Sequence, residues 1–449
     1  MKSLSALSHE TRGLAKDSLL LGVGKAATTL GMITQVALVA HVLGLRSYGV
    51  LALTVSFVAI VSKFFDVDVG RAVITFASRQ LSDLQKAAGV FQFGYLVDFV
   101  LGVAGFVVVA AAAPFAGPRL VGPDGSLLFL LYGLTLLAST VDTTSAALLQ
   151  VLDRYPLLAS LVVFREATRV IFVAVGVLVF HSLIALVALL VVHQALTGLM
   201  GVALASRAFA AGSGGMRLRQ PALTTVKEIR RPMLSMIFQT NLISYGRLVQ
   251  AQAPTLLLGI FQGPLEVGIF KIGMAGATAV GQVSDPAWNA VMPRLARLWS
   301  EERFGAMRKL IAQGTLISTA IMTLVGAFVI GFREPILRIF GGDQATAAAT
   351  VLVLCVVAQV VNGILFWNDS VLYASGRAGL VTKVFLPSVA VMLVLVVVLG
   401  REWGANGAAV AVLVTALLNN CGLTLGALRV FRHEQRAQHV RVTGELGVS

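Results

Sequence analysis

The chain has 449 residues, 57% of them apolar and only 12% charged, with a mean hydropathy of +0.87. A soluble domain carries about 25% charged residues, so this composition excludes one and indicates an integral membrane protein. The formal net charge is +14, but Lys and Arg are scattered through short segments; nucleic-acid binding needs them gathered on one surface, so the charge points to membrane topology.

The polar opening MKSLSALSHETRGLAKD does not read as a cleavable signal, because the apolar run after it is too long for one. Apolar stretches of about 20 residues then recur, each long enough to cross the bilayer as a helix. The alternating short segments of a membrane barrel are not seen. Twelve helices are predicted, over 17–41, 46–68, 89–113, 126–151, 156–180, 182–206, 232–260, 265–291, 310–332, 346–373, 380–400 and 405–428. Turn signals separate them at Pro114 to Gly125, Gly212 to Gly215 and Gly341-Gly342. This gives an expected N-terminal six-helix lobe over 1–206, a basic connecting loop over 207–231, a second lobe over 232–428 and a tail over 429–449.

One set of connecting segments holds Lys2, Arg12, Lys16, Arg71, Arg79, Lys86, Arg154, the basic loop, Arg294, Arg297, Arg303, Arg308, Lys309, Arg377, Lys383 and the tail arginines. The opposite set holds only Arg46, Arg119, Arg333, Arg338 and Arg401. The positive-inside rule puts the first set, and both termini, in the cytoplasm. A weak repeat supports two halves: a shift of about 219 residues lays 47–66 on 266–285, with Asp66 on Asp285. Six helices per half give both the same orientation, a transporter plan with substrate at the repeat interface.

Charges within spans cost roughly 2.5–3.5 kcal/mol each on insertion scales, so they face protein or water. FREATRV (164–170) places Arg165, Glu166 and Arg169 on one helix face. Lys25, Arg247 and Lys271 are further embedded cations; Asp98, Asp142 and Glu266 are embedded acids. Two readings compete. In one, the charges form packing ion pairs, such as Arg165 with Asp98 or Asp142, and Glu166 with Arg169. In the other, they line a wet cavity with surplus positive charge, suited to an anionic head such as a pyrophosphate, which Arg binds bidentately.

Other polar residues read more plainly. Asp66, Asp68 and Arg71 are expected to pair at a helix end as a gate or loop lock, with Asp285 as the repeat counterpart of Asp66. His193 reads as a hydrogen-bonded core histidine or a proton relay. Asn368-Asp369 reads as a polar helix contact or an ion ligand. Asp98, Asp142, Glu166 and Asp369 are the candidates for ion coupling or charge pairing. Cys355 and Cys421 allow neither a disulfide framework nor a zinc site, and no metal or cofactor is expected. No phosphate-loop pattern occurs.

The segment HVLGLRSYGVLALTVSFVAIVSKFFDVDVGRAVITFASRQ (41–80) resembles the opening of polysaccharide flippases of the O-antigen type, through Leu43-Gly44, Tyr48-Gly49, Phe64, Asp66, Gly70, Arg71 and Arg79. Val67-Asp68-Val69 loosens the usual spacing. VGIFKIGMAGATAV with Pro293, Arg294 and Arg297, VLYASGRAGLVTKV (371–384) and GANGAAVAVLVT (404–415) resemble later helices of that family. The resemblance covers nearly the whole chain. It implies the multidrug/oligosaccharidyl-lipid/polysaccharide exporter superfamily: an all-α protein of about twelve membrane helices, in two six-helix lobes around a central cavity with alternating access.

It further implies a flippase carrying undecaprenyl-diphosphate-linked sugar units across the bacterial cytoplasmic membrane. Expected partners are membrane lipids, a polysaccharide polymerase and a chain-length regulator. The family's cavity cations engage the diphosphate, a role carried onto Lys25, Arg165, Arg169, Arg247 and Lys271. Lipid II flippases have about two more helices than this chain. The alternatives are a cation-coupled drug exporter of the same superfamily, which would prefer a cavity rich in carboxylates and aromatics, and a membrane polymerase or ligase, for which no outer nucleophile–base pair is visible.

Overall fold

In hydrocarbon every backbone N–H and C=O must find an internal partner, so a chain this apolar is driven into helices. The computed structural model describes residues 2–65, 69–213, 215, 218, 227–239 and 242–446, with side chains described over 28–65, 69–213, 215, 218, 227–235, 245–284 and 291–434. No strand occurs among the described residues. Chain contacts divide the molecule into two units, Met1–Leu248 and Val249–Ser449.

In the N-terminal unit α1 runs over Lys2–Phe65, α2 over Val69–Ser78, α3 over Leu84–Leu120, α4 over Gly125–Ser139, α5 over Asp142–Val151, α6 over Tyr155–Ala174, α7 over Leu183–Gly212 and α8 over Lys227–Gln239. The first two predicted helices form one continuous assignment, broken only at Gly44, where φ is 85°. Local signals set several ends. Asp83 caps α3 by accepting from the Lys86 N–H, and Ser182 caps α7 by accepting from Ala185. The fifth predicted helix ends in a π-turn over Val175–Val179. Part of the expected 207–231 loop is helical: α7 continues to Gly212 and α8 begins at Lys227. Leu218 and Met233 are buried in this unit's core, with Val73, Phe91, Leu148 and Phe209. Phe91 and Phe209 meet edge to face at 5.9 Å.

In the second unit α10 runs over Pro264–Gln282, α11 over Asp285–Ser300, α12 over Phe304–Gly331, α13 over Arg333–Gly341, α14 over Ala349–Ile364, α15 over Asn368–Ala374 and α16 over Ala378–Leu446; α9, Leu242–Gln262, carries the chain in from the first unit. Leu295, Met307, Phe366, Leu372 and Leu423 build one core cluster. Outward-facing residues such as Leu316, Leu324 and Ile339 are about three-quarters exposed, as a lipid-facing surface requires.

All twelve predicted spans are helical over most of their length. Among the described residues seven segments are long and apolar enough to cross a membrane by themselves, and two of them, 28–78 and 378–434, are long enough to cross twice. The chain is therefore a multi-pass membrane protein.

The second double crossing bends at Gly404, where φ is 56°, a conformation that glycine enters without steric cost. The helix restarts at Ala405, whose N–H is accepted by Glu266 Oε2 at 2.7 Å. Gln262 Nε2 donates to Arg401 O at 2.6 Å. A Cβ at position 404 would run into the Glu266 carboxylate. Gly404→Ala should therefore destabilise by about 2 kcal/mol. Gly400→Ala, whose Cβ would meet only ordinary contacts, should be near neutral. Thermal unfolding in detergent measures both, and equal unfolding temperatures would contradict this account of the bend.

Candidate functional site

The charged stretch on α6 lies against α1, α5 and α7 within the N-terminal unit. Two adjoining cavities of about 250 Å³ each sit there and share Ser62, Leu136 and Ser139. One is lined by Tyr132, Thr135, Arg165, Glu166, Arg169, His193 and Gln194, the other by Asp98, Asp142, Thr140 and Thr143. Together they form a polar chamber in otherwise apolar helices.

Asp142 is its anchor. It opens α5 directly after the two-residue break that separates α4 from α5. Its Oδ1 accepts from Arg165 Nη2 at 2.7 Å and its Oδ2 from Gln194 Nε2 at 2.6 Å, so both oxygens are engaged. The Arg165–Asp142 pair is 27% and 17% exposed at its side chains. Of the two partners considered for Arg165, the structure selects Asp142. Asp98 accepts from Thr144 Oγ1 at 2.6 Å.

Glu166 and Arg169 are held more loosely, with Arg169 Nη1 3.9 Å from Glu166 Oε2. Glu166 is buried, and its Oε2 has no hydrogen-bond donor. Gly31 on α1 lets that carboxylate come close: a Cβ there would sit 3.1 Å from Oε2.

His193 is buried on α7, with Nε2 3.1 Å from both Arg165 O and Thr168 Oγ1. Thr168 already donates to Phe164 O at 2.8 Å and Arg165 O only accepts, so Nε2 carries the proton. That is the hydrogen-bonded core histidine of the two readings, and it ties α7 to the α6 backbone.

The expected surplus of positive charge is absent from this chamber, where Arg165 and Arg169 face Asp142 and Glu166, with Asp98 next door. Unmatched cations lie elsewhere. Arg247, exposed on α9, and Lys271, half-buried on α10, have no ion-pair partner among the described residues. The structure thus brings Arg165, Glu166, Arg169, Asp98 and Asp142 together, and sequence reasoning missed Gln194, Thr168, Tyr132 and Ser139. The side chains of Lys25 and Asp285, and all of Asp66, lie outside the described residues; Arg71 is exposed near the start of α2.

In the second unit, Asn368 Nδ2 donates to Asn420 Oδ1 at 3.0 Å and Asn420 Nδ2 to Asn362 Oδ1 at 2.7 Å. Asn368 Oδ1 accepts from the Asp369 N–H at 2.7 Å. This amide ladder is the polar helix contact foreseen at 368–369. No group of three metal-ligating side chains occurs among the described residues.

Removing Asp142 strands the Arg165 guanidinium among apolar helices. Asp142→Ala should cost about 2–3 kcal/mol, below the range of a fully buried pair. Asp142→Leu combined with Arg165→Met should recover most of it. A double-mutant cycle of unfolding in detergent reads the coupling, and additive losses would show that the pair is not coupled.

Comparison with known proteins places this architecture. In solved structures the fold recurs in an inward-facing multidrug resistance MATE family transporter of the MOP superfamily, at 12% identity, TM-score 0.74 and coverage of 91% of this chain and 96% of that one. It recurs in the lipid II flippase MurJ, at 12% identity, TM-score 0.65 and coverage of 93% and 90%. A MOP superfamily transporter from Pyrococcus furiosus, described as having a binding pocket of reversed polarity, matches at 13% identity, TM-score 0.63 and coverage of 94% and 96%. The inner membrane protein YghQ of Escherichia coli K12 is 24% identical over 306 residues, 62% of this chain and 80% of that protein. A MatE family model matches residues 252–400. The family model described as polysaccharide biosynthesis protein matches residues 14–299, well over half of the chain, and the chain belongs to that family.

Proposed function

We propose that the protein is a flippase that carries undecaprenyl-diphosphate-linked oligosaccharide units across the bacterial cytoplasmic membrane, for assembly of a surface polysaccharide. Family membership supplies the class of pathway. The observation that carries the substrate class is the set of embedded cations with weak or no counter-charge: Arg169, tied at 3.9 Å, and Arg247 and Lys271. A cation kept in a bilayer-spanning helix without a tight partner costs stability. It is a preorganised site for an anionic head that arrives and leaves. Arg165 has a different part, because Asp142, itself fixed by Gln194, already pairs with it. It positions α6 against α5 and α7, and so aims Arg169.

In this reading the protein's two halves open alternately to the two membrane faces. The diphosphate exchanges hydration for guanidinium and ammonium contacts, and the isoprenoid tail stays in lipid. Binding must be tight enough to capture the head and weak enough to release it, which a loosely paired arginine satisfies better than a clamped one. Both termini and the basic connecting segment face the cytoplasm on the positive-inside rule. A polymerase and a chain-length regulator would act on the delivered unit.

A second reading, a cation-coupled drug exporter, draws on the MatE match and on the acids Asp98, Asp142 and Glu166 around one chamber. The readings separate in one experiment on cells of the protein's own host. Arg169→Ala and Lys271→Ala, at unchanged protein level, should each reduce surface glycan at least tenfold and leave drug susceptibility as in the parent. Normal glycan with raised drug susceptibility would select the exporter.

A further inference from the structure

A third cavity, of about 800 Å³, lies in the N-terminal unit between α3, the α4–α5 break and α7. Its character differs from the polar chamber. Phe99, Leu199, Val202 and Ala203 form its walls, Thr140 and Val141 its floor. Phe99 and Leu199 are more than half exposed at its rim, so it opens outward as a groove.

Polarity gathers at one end of that groove. Arg207 stands there, exposed, with no ion-pair partner among the described residues. Gln92 beside it donates to Leu218 O at 2.6 Å, and Arg230 lies over the Phe93 ring at 5.6 Å. On α7 the lining runs from Leu199 to Ala210. At a rise of 1.5 Å per residue this is about 16 Å, close to half of the roughly 30 Å hydrocarbon core. The groove is thus one leaflet long, apolar along its length and basic at its head. The positive-inside rule assigns that head to the cytoplasmic face.

We propose that this groove is a binding site for an anionic phospholipid of the cytoplasmic leaflet, one acyl chain lying along α7 and the phosphate meeting Arg207. Basic pockets between membrane helices on this face suit such headgroups, and the volume is within the range of ligand sites. The groove's floor is the α4–α5 break, one residue from Asp142. Gly198 of α7 closes on that break, its missing Cβ leaving room for Ala138 O and the Val141 side chain. A lipid in the groove therefore bears on the segment that sets the Asp142–Arg165 pair. The assignment does not depend on which substrate the protein moves.

The test uses the full chain, purified in detergent, stripped of lipid and offered phosphatidylglycerol and phosphatidylethanolamine at equal concentration, with bound lipid read by native mass spectrometry. The wild type should retain one phosphatidylglycerol in preference. Arg207→Gln should lower the preference about fivefold, the worth of one basic residue near a headgroup. Ala203→Trp, which fills the groove, should abolish retention without changing the unfolding temperature in pure detergent. Should that variant not fold, Ala203→Leu tests the same volume with a smaller intrusion. An unchanged lipid preference in Arg207→Gln, or full retention in the filled groove, overturns the proposal. So does an isoprenoid phosphate, offered at the same concentration, that displaces the phosphatidylglycerol.

Discussion

A charge inside a bilayer must find either a counter-charge or water, because hydrocarbon supplies neither. That constraint organises the N-terminal unit. Arg165 reaches across from α6 to Asp142 at the start of α5, and Gln194 of α7 completes the carboxylate's coordination. Three helices are thereby fixed by one aspartate. Packing alone would hold them less specifically, since lipid tails are as apolar as the residues at the helix contacts. The α4–α5 break gains a purpose in this light, for it brings the Asp142 carboxylate to the first turn of a helix, where negative charge is stabilised.

The same constraint separates two kinds of embedded cation. Arg165 is clamped to Asp142 at 2.7 Å, although its Nε finds no acceptor, and is structural. Arg169 is half-exposed to the chamber and only loosely matched, and Arg247 and Lys271 have no acid beside them among the described residues. In the proposed function the clamped cation keeps the walls in place and the loosely held ones exchange partners. The glutamate between the arginines belongs to neither set. Glu166 is buried against Gly31 with one oxygen undonated.

Much of this was legible in the sequence. Twelve apolar periods, their punctuation and the shared face of Arg165, Glu166 and Arg169 followed from helical geometry. Asp142 was one of two candidates for Arg165. Sequence spacing could not choose between them, because the choice depends on how α3 and α5 rotate, and the rotation gives Asp98 to Thr144. Gln194, Thr168 and Ser139 escaped because a lone neutral polar residue in an apolar helix carries no signal of its own partner. The one available hint was that Gln194 follows His193 directly. The expected cationic surplus was one of two readings of the embedded charges, and in this chamber the structure favours the other, with Asp142 and Glu166 beside the two arginines. Helix breaks at 140–141 and 365–367 were also invisible, since neither contains glycine or proline.

The central claim is that these helices enclose a hydrated polar chamber and not a dry ionic core. Thiol accessibility tests it directly. With Cys355 and Cys421 replaced, Ser139→Cys in the chamber and Leu316→Cys on the lipid face are each exposed in proteoliposomes to a membrane-impermeant, charged thiol reagent. Hydration predicts rapid labelling of Ser139→Cys and none of Leu316→Cys. A folded protein in which both positions stay unlabelled would contradict the account.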